Sequence, residues 1–144
     1  MTKRTEAQMK PHMILAGLAG VALLVACANE TMPEAGEGAA LYAENCSICH
    51  GATGRGDGEF AKGLRPAPAD LTAITRRYDG QFPRAHVLSV IDGYTRMDTP
   101  GENMPEFGLL LEGSTVPVDV GDGNLSPVPR PLAALMVYLE SIQR

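Results

Sequence analysis

The chain has 144 residues, a net charge of −5, three cysteines, three histidines and no tryptophan. The length fits a single domain, and an acidic balance with no basic patch excludes a main role in binding nucleic acid, whose phosphates need a cationic face. Three Phe and four Tyr beside 16 Gly and 11 Pro leave a core short of side-chain bulk, so a large apolar body other than a side chain is expected at its centre.

Lys3, Arg4 and Lys10 open the chain on positive charge, and Met13 to Ala26 (MILAGLAGVALLVA) then runs without a charged residue. A membrane-spanning helix needs roughly 20 apolar residues. A charged start, a shorter apolar run and small residues before a break are the marks of an export signal; a buried core helix would not be apolar on every face and stop abruptly at Cys27. Residues 1–26 are therefore expected to be cleaved as an N-terminal signal. They carry Lys3, Arg4 and Lys10 against Glu6, so the remainder stands at −7. The string Leu24-Val25-Ala26-Cys27 resembles the bacterial lipoprotein cleavage box. That resemblance implies a lipid anchor at Cys27 on the periplasmic side of a bacterial membrane, and it accounts for an odd cysteine count in an exported chain. The competing reading is an ordinary signal cut near Ala26 or Ala28 that leaves Cys27 a stray thiol. Residues 27–33 would form a short polar tether.

Glu34 to Asn45 (EAGEGAALYAEN) reads as a helix, rich in Ala and Leu and with early glutamates that suit the positive end of its dipole. Gly36 and Gly38 lower its propensity, which makes sense where a second helix crosses closely. Cys46-Ser47-Ile48-Cys49-His50 follows, the C-x-x-C-H signature of covalent haem attachment. Two thiols two residues apart can add to the two vinyl groups on one porphyrin edge, and the histidine next to them can ligate the iron. A zinc site would need a second ligand pair, which the sequence lacks. A thioredoxin-like dithiol would need flanking strand and helix repeats, and a plain disulfide would give His50 no role.

Gly51 to Gly58 (GATGRGDG) lacks the Lys-Ser or Lys-Thr ending of a phosphate loop and is read as backbone folding tightly around the haem edge. Residues 65–71 (RPAPADL) form a proline-rich turn. Pro83 to Asp92 reads as a helix stopped by Gly93. In 114–128, alternating Val116, Val118 and Val120 before Gly121-Asp122-Gly123 fit either a short hairpin or a solvated connector. Pro131 to Gln143 reads as an amphipathic helix, with Leu132, Leu135, Met136 and Leu139 at three- and four-residue steps.

The strings LYAENCSICHG and LAALMVYLESIQ together resemble the first and last helices of a class I c-type cytochrome, with a fit over residues 34–144 that loosens in 112–130. The resemblance implies an all-α, small cytochrome c-like domain at 34–144, wrapped around one covalent haem c. It implies that Gly38 and Tyr42 meet Leu135, Tyr138 and Leu139 where the two helices cross, and that a backbone carbonyl of Pro68 or Ala69 bonds the second ring nitrogen of His50. It further implies Cys46, Cys49 and His50 as the cofactor-binding set, with a methionine in an irregular loop as sixth ligand. Met104, in GENMPEFG, matches that pattern better than Met97. Met136 falls in the last helix and Met32 in the tether, while His86 offers a bis-histidine alternative. Arg65, Tyr94 and Arg96 are candidates to neutralise the haem carboxylates.

The expected role is one-electron transfer outside the cytoplasm with His50 and Met104 on the iron, without substrate chemistry of the chain's own. Its partners would be membrane or periplasmic redox proteins, with no nucleic acid. Two other readings stay open: a subunit fixed in a periplasmic dehydrogenase or oxidase complex, and a haem-based gas sensor or peroxidase with an open iron.

Overall fold

The computed structural model describes residues 31–94, 104–121 and 123–144. The expected signal segment 1–26, Cys27, the expected tether up to residue 30, Arg96 and Met97 lie outside the described residues. In chain order the described residues form α1 (Ala35–Asn45), α2 (Ser47–His50), α3 (Ile74–Arg77), α4 (Arg84–Asp92), strands β1 (Thr115–Asp119) and β2 (Leu125–Pro129), and α5 (Arg130–Ser141). Single 3-10 turns lie at Glu59–Ala61, Leu71–Ala73 and Gly108–Leu110.

α1 and α5 are the long helices of the fold, and one residue lets them cross. A Cβ on Gly38 would collide with the Ala134 carbonyl and with Tyr138 Cβ, whereas one on Gly36 would meet nothing. The crossing therefore needs glycine at position 38 and only tolerates it at 36, where it lowers helix propensity without return. The expected partners of the first helix are refined accordingly: Gly38 packs on Ala134 and Tyr138, and the Tyr42 and Tyr138 rings lie 5.1 Å apart at a tilt of 48°. Arg130 ties the start of α5 to α1 through a 2.8 Å ion pair with Glu37.

α4 buries Val87, Leu88 and Ile91 and ends at Gly93, which takes the left-handed conformation at φ 99°. Arg84 at its start pairs with Glu140 of α5 at 3.0 Å. These helices share a core of Tyr42, Ile74, Leu88, Ile91, Leu135, Met136 and Leu139 with the strand residues Val116, Val118 and Val128.

The fold is mostly helical, as expected, but not entirely so, and the all-α class is corrected by a two-stranded antiparallel sheet in the stretch where hairpin and connector were both open. Val116 pairs with Val128 and Val118 with Ser126; the valines at 116 and 118 point inward and are 1% exposed, so the period-2 pattern found a core to bury in. Asp119 Oδ1 accepts from Gly121 N and Gly123 N at 2.8 and 3.2 Å and holds the turn. Pro117 sits opposite Pro127, and Pro129 pairs two residues further on. Proline has no ladder donor, so these positions blunt the edges of the ribbon.

The C-terminus closes the structure. Gln143 Oε1 accepts from Thr75 N–H at 2.9 Å, and its Nε2 donates to the Leu71 and Leu139 carbonyls at 2.7 and 2.6 Å. Arg144 N–H donates to the Thr72 carbonyl at 3.1 Å. One glutamine thus holds the segment 71–75 against the end of α5.

Candidate functional site

Cys46 ends α1, and the chain turns at once into α2, so both cysteines and His50 lie within a little over one helical turn. Backbone bonds lock this corner. Cys46 N–H donates to the Tyr42 carbonyl at 2.9 Å, His50 N–H to the Cys46 carbonyl at 2.9 Å, and Gly51 N–H to the Ser47 carbonyl at 2.8 Å. The glycine-rich loop then wraps back: Gly56 N–H reaches the His50 carbonyl at 2.8 Å and Gly58 N–H the Cys49 carbonyl at 3.1 Å. Gly56 adopts φ 78°, and a Cβ there would strike the Pro68 carbonyl. The loop thus lies against the backbone of Cys49, His50 and Pro68.

Tyr42 secures the same corner from inside. It is 2% exposed, and its hydroxyl donates to the Gly51 carbonyl at 2.6 Å. Burial raises its pKa far above the ordinary phenol range.

His50 Nδ1 lies 3.0 Å from the Ala69 carbonyl, so of the two carbonyls expected, Ala69 is the one used. A carbonyl only accepts, so the proton sits on Nδ1 and Nε2 keeps its lone pair for a metal. Burial lowers the His50 pKa and outweighs the opposing effect of the Ala69 bond; the neutral ring is the form that ligates. The turn bearing Ala69 is itself held. Leu71 N–H donates to the Gly54 carbonyl at 2.7 Å, Asp70 Oδ1 accepts from Thr72 N and Thr72 Oγ1 at 2.8 and 2.7 Å, and Arg77 Nη1 donates to the Asp70 carbonyl at 2.9 Å.

Cys46 and His50 open onto a cleft with about 820 Å³ of empty space, part of it open to solvent. Its apolar walls come from four elements: Leu71 and Ile74, then Val87, Val90 and Ile91 of α4, then Leu135 and Leu139 of α5. Met104, half-buried against the core, lines the same cleft. Met136 is buried in the core and Met32 is exposed, both as their positions suggested; Met97 lies outside the described residues.

The chemistry of this set suits a haem. Neither Cys46 nor Cys49 is in a disulfide. Burial, with Cys49 beside it, pushes the Cys46 thiol up to about 11, opposite to the depressed thiol of a redox dithiol. Among the described residues no group of three or more His, Cys, Asp or Glu is placed to hold a metal by itself. One histidine and one thioether on a common cleft suffice, however, for a metal that brings its own equatorial ligands.

The rim of the cleft differs from the sequence-based expectation. Arg65 and Tyr94 are not among the residues that line it; Arg77, Tyr78 and His86 are. No local motif marks these three. Arg77 and Tyr78 end one short helix and His86 lies in the first turn of the next, and the path of the chain between them brings the Tyr78 and His86 rings to 5.5 Å. Among the described residues no helix is long and apolar enough to cross a membrane.

The sequence model of the family described as Cytochrome c matches residues 35–112. No curated protein and no solved structure matches the chain.

Proposed function

The chain belongs to the cytochrome c family, whose cofactor is covalent haem c and whose members carry electrons, and from that premise we propose a monohaem carrier working outside the cytoplasm, with Cys46 and Cys49 as thioether attachments and His50 and Met104 as axial ligands. The observation that carries this reading is the shared cleft: Cys46, His50 and Met104 line one cavity, and the His50 ring is already aimed by its bond to Ala69. Haem c supplies the one-electron iron couple. The chain does the rest. Ala69 holds the His50 tautomer, the α4 and α5 side chains would shield a bound cofactor from water, and the Met104 thioether would favour the reduced state and keep exogenous ligands off the iron.

The holoprotein should retain haem through acid-acetone extraction and denaturing electrophoresis. Once oxidised, it should show the weak near-infrared band of sulfur bound to iron. Freely extractable haem would sink the attachment, and an absent band would sink the Met104 ligation.

The lipid anchor at Cys27 belongs to the same proposal. A tether of about six residues reaches only about 20 Å when extended, so an anchored domain would serve redox partners in or on its own membrane at high effective concentration. Intact-mass analysis should find a lipid-modified terminus at Cys27; an unmodified terminus beyond it makes the protein a diffusing carrier. Leu109 and Leu110, 86% and 72% exposed side by side, favour the second reading of a subunit fixed in a dehydrogenase or oxidase complex, which copurification would reveal.

A further inference from the structure

The His50 ring is aimed by one bond, from Nδ1 to the Ala69 carbonyl at 3.0 Å. The turn that bears this carbonyl is gripped from two sides. On one side is the glycine-rich loop. Leu71 N–H donates to the Gly54 carbonyl at 2.7 Å, and Gly56 leaves room for the Pro68 carbonyl, which a Cβ there would strike. On the other side is the end of α5, acting through one side chain. Gln143 Nε2 donates to the Leu71 carbonyl at 2.7 Å and to the Leu139 carbonyl at 2.6 Å, and Oε1 accepts from Thr75 N–H at 2.9 Å.

Two carbonyls require donors and one N–H requires an acceptor, so the amide of Gln143 has a single orientation. Ile142 beside it packs on Gly54, where an added Cβ would lie 3.1 Å from the Ile142 Cδ1. Leu71 therefore has its N–H held by the loop and its carbonyl held by Gln143, two residues beyond the carbonyl that aims His50. Leu71 and Leu139, which the amide bridges, both line the cleft, whereas Gln143 itself does not.

Resting on the haem reading above, we propose that Gln143 is a positioning residue for the axial histidine. By holding Leu71 and Thr75 it fixes the Ala69 carbonyl, and with it the length of the bond from His50 Nδ1. A carbonyl that accepts from the far nitrogen of a metal-bound imidazole raises the basicity of the ligating nitrogen. A more basic ligand stabilises the oxidised iron and lowers the potential. Loosening the turn lengthens the bond, makes the ring a weaker donor and raises the potential.

Gln143→Met keeps the length of the side chain and removes all three bonds. The full-length holoprotein carrying it is compared with wild type by redox titration and by NMR of the His50 Nδ1–H in the reduced state. Removing a direct partner of a metal-bound histidine changes metal affinity about 10- to 100-fold, and Gln143 stands one step further out. The oxidised state should lose about threefold of its stabilisation relative to the reduced state, a rise of about 28 mV at about 59 mV per tenfold. The His50 Nδ1–H should exchange with deuterated solvent faster than in wild type. Gln143→Asn, one methylene shorter, carries the same expectations if Gln143→Met does not fold. Leu132→Val separates positioning from stability. Leu132 is buried in α5 and does not line the cleft, so this variant should lower the urea midpoint and leave the potential and the exchange rate as in wild type. A potential unchanged or lowered by the Gln143 variant, an unchanged exchange rate, or equal changes in Leu132→Val would overturn the proposal. Haem that extracts freely would instead overturn the reading beneath it, a separate result seen on the same samples before any titration.

Discussion

The wall of the cleft built from residues 42–71 is pinned by a backbone hydrogen bond at nearly every turn, from Cys46 to Tyr42, from Gly56 to His50 and from Leu71 to Gly54. The described part of the wall bearing Met104 is joined to α4 by the bond from Phe107 N–H to the Ile91 carbonyl at 3.0 Å. The first wall is a short stretch of chain folded on itself; the second is a loop laid against a helix from elsewhere. Chemistry that needs two thiols and an imidazole at fixed spacing uses local backbone geometry, which survives small changes in packing. The methionine proposed as sixth ligand depends on a tertiary approach. It is therefore the part of the site that substitution can change without unfolding the domain.

The hardest test of that contrast strikes the support of the first wall. Gly38→Leu would drive a side chain into the Ala134 carbonyl and Tyr138, at a cost of about 3 kcal/mol or more for overpacking a rigid crossing. Urea unfolding of the holoprotein should show a much lower midpoint. Gly36→Leu, with open space around it, should cost nothing or stabilise slightly through helix propensity. Equal effects at the two positions would remove the crossing from the argument.

Met104→Ala attacks the second wall. It should cost about 2 kcal/mol or less, because the side chain is only partly buried and truncation scales with the cavity left. Its chemical consequence should be large, with the sulfur-iron band lost, the potential lowered and carbon monoxide bound. Met97→Ala should do none of this. The reverse pattern would transfer the ligand to Met97.

Tyr42→Phe removes the donor to the Gly51 carbonyl. That carbonyl also accepts from Gly54 N–H at 3.1 Å, so the loss should be near the low end for a buried bond, about 1 kcal/mol. It should appear in thermal unfolding with the ligation spectrum unchanged.

The smallest effect is at Asp70. Its bonds from Thr72, aided by Arg76 and Arg77, hold its carboxyl below the ordinary value of 3.8. A depressed carboxyl contributes stability that is present above that value and lost as pH falls through the folded-state pKa. Asp70→Asn should therefore flatten the acid limb of a stability-versus-pH curve below about pH 4 by less than about 0.5 kcal/mol, since the group is only part-buried and its charge is screened by solvent. A change at neutral pH larger than that would assign Asp70 a packing role instead.

The candidate attachment corner was legible in the residues because its information is local. Cys46, Cys49 and His50 announce themselves by spacing, Gly93 by its place after an amphipathic run, and α1, α4 and α5 by their periodicity and end signals, to within a residue or two of their observed bounds. The same residues left open what depends on approach between distant segments. Alternating valines at 116 and 118 fit a connector as well as a hairpin until α5 and its neighbours offered a face to bury them. The choice between Pro68 and Ala69 was decided by how the turn is held from Gly54 and Thr72. Gly36 and Gly38 look alike in the chain, and only the path of α5 separates them. The rim of Arg77, Tyr78 and His86 has no sequence signature, because exposed polar residues at the ends of two short helices are ordinary until packing turns them toward one cavity. Spacing along a chain encodes bonds that the backbone closes on itself; which distant surfaces meet is encoded in the burial of the whole core, and no single motif carries it.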